Sequence, residues 1–77
     1  DVRRADLAFE YMLNALRLEG GVALAQYEAR TGQPARSLEA ALGDAEARGW
    51  ITRDRIEVTP TADGRRLMND LIGLFMP

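Results

Sequence analysis

The stretch Gly49-Trp50-Ile51-Thr52-Arg53-Asp54-Arg55-Ile56-Glu57-Val58-Thr59-Pro60-Thr61-Ala62-Asp63-Gly64 decides the fold. It reads as a β-hairpin running straight into a helix. Trp50 and Ile51 open a short strand, Arg53-Asp54-Arg55 makes a polar tip, and Ile56-Glu57-Val58 alternates apolar and polar on the way back. A two-residue turn at Arg53-Asp54 pairs Ile51 with Ile56, and one at Asp54-Arg55 pairs Ile51 with Val58. Either pairing sets Ile51, Ile56 and Val58 on one buried face. No glycine marks the turn, so both pairings stay open. A hairpin this short is marginal in water and needs helices to lie on.

The flanking sequence supplies them. Downstream, Thr59 or Thr61 can cap a last helix with Pro60 in its first turn, and Gly64, Leu67, Met68, Leu71, Ile72 and Phe75 form its stripe. Gly64 on that stripe predicts a close backbone approach. Upstream, Pro34 opens a third helix that Gly49 closes, with Leu38, Ala41, Leu42 and Ala45 inward. A second helix spans 23–31, with Leu24 and Tyr27 inward and Gly32 as its stop, and Val22 adds a brief third strand. Gly20-Gly21 ends a first helix over 4–18. The order is helix, short strand, helix, helix, strand, strand, helix. That is a mostly α domain with a small β-hairpin, an α+β class of winged-helix type, in which Thr31-Gly32-Gln33-Pro34 is the turn of the helix-turn-helix. The expected core joins Phe9, Met12, Leu13, Leu16, Tyr27, Leu38, Leu42, Ile51, Ile56, Leu67, Leu71 and Ile72.

The first helix carries more apolar surface than one core needs. Phe9, Met12, Leu13 and Leu16 make its core stripe. Leu7, Tyr11, Asn14 and Leu18 lie nearly opposite at about 100° per residue, with Glu10, Asn14 and Arg17 as a polar line between. A helix apolar on two sides is buried on two sides. Leu7, Glu10, Tyr11, Asn14, Arg17 and Leu18 are therefore the expected docking residues.

Composition bounds the chemistry. Seventy-seven residues, 47% of them hydrophobic and 29% charged, make one small folded domain over 1–77, expected to be a monomer. There is no cysteine or histidine, so disulfides, thiolate or imidazole metal sites and histidine acid–base catalysis are excluded. No phosphate loop, nucleophile–base pair or metal-ligand cluster is present, and no catalytic, cofactor or metal residue is expected. No apolar run approaches membrane-spanning length. The chain begins without Met or a leader pattern and enters a helix almost at once, as a piece of a larger cytoplasmic protein would.

A winged helix raises the alternative of a stand-alone DNA-binding or protein-interaction module, with the third helix in the major groove. The charges disfavour nucleic acid. Across 34–48, Arg36 and Arg48 face Glu39, Asp44 and Glu46, while in the wing Arg53 and Arg55 cancel against Asp54 and Glu57. Phosphates are held by an excess of cations, and carboxylates on a reading helix repel them. Arg3-Arg4 and Arg65-Arg66 read as solvated helix termini.

Phe9-Glu10-Tyr11-Met12-Leu13-Asn14-Ala15-Leu16-Arg17-Leu18 followed by Gly20-Gly21 resembles the start of the C-terminal domain of oxygen-independent coproporphyrinogen III oxidase-like radical-SAM proteins. The likeness is to the heme-chaperone branch, and it continues through Tyr27, Thr31-Gly32, Leu38, Leu42, Gly49-Trp50-Ile51, Thr61-Ala62-Asp63-Gly64 and Asn69. The resemblance implies a larger parent whose N-terminal radical-SAM barrel holds a [4Fe-4S] cluster on three cysteines together with S-adenosylmethionine, and, in the chaperone branch, heme. It implies that this domain is a non-catalytic accessory packed against that barrel. A Cys-x-x-x-Cys-x-x-Cys signature upstream of Asp1 is the corresponding expectation. The residues that separate oxidase from chaperone lie upstream as well.

Overall fold

The computed structural model describes residues 2–76, with side chains from Asp6 to Met76. Helix α1 (Val2–Asn14) runs into a π-helical turn (Ala15–Glu19) that closes on Gly20 at φ 74°, whose N–H donates to the Ala15 carbonyl. Strand β1 (Val22–Ala23) leads into α2 (Leu24–Thr31), which Gly32 stops at φ 70°. A 3-10 turn (Ala35–Leu38) with Pro34 at its N-cap precedes α3 (Glu39–Ala47). Strands β2 (Ile51–Arg53) and β3 (Glu57–Pro60) form the wing, followed by α4 (Ala62–Arg66) and α5 (Met68–Gly73). This is the winged-helix order expected from the sequence. The side chains of the Arg3-Arg4 pair lie outside the described residues.

The turn between α2 and α3 is fixed by side chains. Thr31 Oγ1 donates to the Tyr27 carbonyl (2.7 Å) and accepts from Gln33 N–H (3.2 Å). Glu28 Oε2 accepts from Ala35 N–H (2.7 Å), satisfying an orphan donor where the 3-10 turn begins. The Tyr27 and Ser37 hydroxyls share a 3.0 Å hydrogen bond across the same corner.

The sheet has the order β1-β3-β2 and is antiparallel throughout. Neither expected hairpin pairing is the observed one. Ile51 lies opposite Pro60, Thr52 opposite Thr59 and Arg53 opposite Val58. The turn therefore centres on Arg55-Ile56, and the Asp54 side chain holds it without any residue at positive φ. Its Oδ1 accepts from Ile56 N–H (2.7 Å) and Glu57 N–H (2.8 Å), while Asp54 N–H donates to the Glu57 carbonyl (3.0 Å). Ile56 is thereby placed at the tip and is 72% exposed, contrary to its expected core position, whereas Ile51 and Val58 are buried.

Pro60 is the second correction. It ends β3 instead of opening a helix, and Thr61 is the N-cap, its Oγ1 accepting from Gly64 N–H at 3.0 Å. With Thr61 N–H bonded to the Trp50 carbonyl (2.9 Å), Pro60 falls at a non-hydrogen-bonded position toward β2. Its missing donor then faces the side where β1 has already stopped. The final helix is also broken. Leu67 (φ −106°, ψ 37°) separates α4 from α5, so that Gly64 rests on the Trp50 peptide while Leu71, Ile72 and Phe75 enter the core.

Of the expected core, Met12, Leu16, Tyr27, Leu38, Leu42, Ile51, Leu71 and Ile72 are buried, and Phe9, Leu13 and Leu67 are half-buried. Ala15 and Val22 complete it from the π turn and β1. Among the described residues no charged side chain is buried and no buried side-chain polar atom lacks a partner.

Candidate functional site

Two faces could meet a partner, and the structure separates them. The first is the nucleic-acid face that a winged helix offers on α3 and the wing. Its one half-buried cation is already engaged. Arg53 donates from both terminal nitrogens to Glu39 (3.0 and 2.7 Å) and from Nε to Glu46 (3.2 Å), tying β2 to α3. The guanidinium holds the Glu39 carboxyl below its ordinary range, chiefly through these hydrogen bonds. Arg48 is committed too, 2.7 Å from Asp44 and stacked 5.1 Å over the Trp50 ring. A shallow groove of about 310 Å³ on the hairpin is lined by Thr52, Arg53, Asp54, Glu57 and Thr59. Its lining is mixed in charge, unlike the mostly apolar walls of small-molecule sites.

The second face is the outer side of α1 and the π turn. Leu7 is 49% exposed and Leu18 79%, and Glu10, Asn14 and Arg17 are exposed between them. Among the described residues none of these three polar side chains has a hydrogen-bond or ion-pair partner. Met12, Ala15 and Leu16 bury the opposite side. Spacing alone placed these six residues together, and five of them do share the exposed side.

Tyr11 differs. It is half-buried, its ring meeting the Tyr27 ring edge-on at 5.6 Å and 74°. Burial raises its hydroxyl pKa, the Glu19 carboxylate raises it further, and the Arg30 guanidinium acts the other way. Tyr27 on α2 is thus a neighbour of this face that helical spacing could not reveal, because it lies on another element. The π turn was equally hidden, since no glycine or proline stands inside 15–19.

The described residues contain no group of three or more acidic side chains able to hold a metal ion, and no helix long and apolar enough to cross a membrane. A cluster on three cysteines does not fit a chain without cysteine. Of the side chains that could ligate heme iron, Met12 and Tyr27 are sealed in the core at 0% exposure, Tyr11 and Met68 are half-buried, and Met76 is exposed.

A family model described as the HemN C-terminal domain matches residues 2–67. No curated protein and no solved structure matches the chain.

Proposed function

This chain belongs to the HemN C-terminal domain family, and from that premise we propose that it is a non-catalytic accessory domain. It docks on the radical-SAM barrel of a cytoplasmic, oxygen-independent coproporphyrinogen III oxidase-like protein of the heme-chaperone branch. Leu7, Glu10, Tyr11, Asn14, Arg17 and Leu18 are the docking face. The cluster belongs to the barrel, since a chain without cysteine does not suit it, and S-adenosylmethionine goes with the cluster.

One observation carries the reading. Two leucines and three unpartnered polar side chains share the outer face of a helix whose inner face already fills the core. Water satisfies the polar side chains, and the two leucines are what a solvated face does not ask for. Arg17 suits a carboxylate across an interface, by two parallel hydrogen bonds, and Asn14 suits a backbone group. The engaged Arg53 and the carboxylates of α3 favour this face over nucleic-acid binding.

Arg17→Ala tests it in two settings. In this chain alone the change should move stability by no more than about 0.5 kcal/mol, because the side chain is exposed. In the full-length protein, loss of one partner of a desolvated pair should weaken docking by about 2–5 kcal/mol and lower activity. If Arg17→Ala unfolds the isolated chain and leaves docking intact, Arg17 is internal scaffolding and the interface lies elsewhere.

A further inference from the structure

We propose that Tyr11 anchors the docking surface, donating its hydroxyl to a backbone carbonyl of the barrel. The inference rests on the docking reading above and assigns its central residue.

The ring of Tyr11 is already fixed. It packs edge-on against Tyr27, which is fully buried and tied through its own hydroxyl to Ser37. A ring held in place before binding loses little conformational freedom on binding, one reason tyrosines recur among the residues that dominate interfaces. The hydroxyl is in the opposite condition. Among the described residues it has no hydrogen-bond partner, and no buried side-chain polar atom is left unsatisfied, so it opens to solvent. Tyr11 therefore presents a polar tip on a rigid, half-buried stem.

The surroundings define what fits that tip. Among the described residues of α1 and the π turn, exposed Asp6, Glu10 and Glu19 outnumber Arg17, so the face repels a carboxylate or phosphate and suits a neutral acceptor. A tyrosine hydroxyl is protonated at neutral pH, so it donates. The occupant is the barrel because a C-terminal domain is by description one part of a longer protein. Tyr11, Leu7 and Leu18 all lie within the family match, whereas the exposed Met76 lies outside it.

Amide hydrogen exchange over 6–19, in the full-length protein and in this chain alone, tests the assignment. Exchange should be slower in the full-length protein. Tyr11→Phe, which keeps the ring, should reverse that protection about fivefold, the equivalent of one hydrogen bond, and leave the isolated chain's melting unchanged. Protection that survives Tyr11→Phe overturns the anchor while leaving docking in place. Equal exchange in both proteins removes the docking reading and the anchor with it. Protection of the isolated chain that grows with concentration assigns the face to a second copy and overturns the barrel as occupant.

Discussion

Gly64→Ala should destabilise the domain by about 1–5 kcal/mol although Ala is the better helix former. A Cβ at Gly64 would sit well inside contact distance of the Trp50 carbonyl oxygen, 2.9 Å from its carbonyl carbon and 3.3 Å from its Cα. These are main-chain atoms and cannot rotate away. The Trp50 carbonyl accepts from Thr61 N–H at 2.9 Å, and Thr61 Oγ1 donates to the Gly49 carbonyl at 2.7 Å, so relief means parting α4 from β2. Overpacking of this kind costs about 1–3 kcal/mol. Losing the Thr61–Trp50 bond adds about 1–3 kcal/mol if its groups stay buried. The gain in helix propensity returns about 1 kcal/mol. Against a total stability of about 4–12 kcal/mol for a chain of this length, that is a large fraction. Gly43→Ala is the matched control, because nothing lies within 4 Å of a Cβ there and the residue is inside α3. It should stabilise by about 0.5–1 kcal/mol. Urea melts of the two variants beside the wild type read both signs. A Gly64→Ala domain as stable as the wild type would refute the packing argument.

Other outcomes follow from the same contacts. Leu42→Ala, at a buried α3 position, should cost about 2–5 kcal/mol, whereas Ile56→Ala at the exposed wing tip should stay within about 0.5 kcal/mol; urea midpoints that rank them the other way would restore Ile56 to the core. Glu39, hydrogen-bonded by Arg53, and Asp54, by the Glu57 and Ile56 amides, titrate below their ordinary values of 4.5 and 3.8 in the folded chain. Their contribution is complete above those values and is lost as pH falls below them, so Glu39→Gln should flatten the acid limb of a stability–pH curve measured by melting. Duplex DNA should bind no tighter than about 10⁻⁴ M at physiological salt, and a micromolar affinity with a steep salt slope in a fluorescence titration would promote Arg36, Arg48, Arg53 and Arg55 to contacts.

Element order was legible because each helix carries its own stops. Gly20, Gly32 and Gly49 all adopt the left-handed backbone that few other residues reach, and each closes the helix before it. The hairpin register was not legible. Periodicity fixed which strands pair, but a side chain, Asp54, supplied the turn hydrogen bonds and moved the pairing. Pro60 suited a helix start and a strand end equally well by its φ, and only the partner of Thr61 N–H separates the two. On α1 the exposed leucines were readable from spacing, while the neighbourhood of Tyr11 depends on α2 and a π turn that no local signal announces.

The sheet order β1-β3-β2 places the last strand to be made in the middle. On a ribosome, β1 and β2 each emerge without a neighbour, and both wait for Glu57–Pro60. Leu71 and Phe75, which close the core around Met12 and Leu16, come later still. At about 5–20 residues per second, the interval from Arg53 to Phe75 lasts about one to four seconds, while helices form in microseconds. Throughout that interval the nascent chain carries short helical segments that packing has not yet stabilised, with bare apolar stripes and unpaired strand edges. A longer protein that ends in this domain would thus expose a sticky tail late in translation, and its yield would depend on how quickly the final residues clear the exit tunnel.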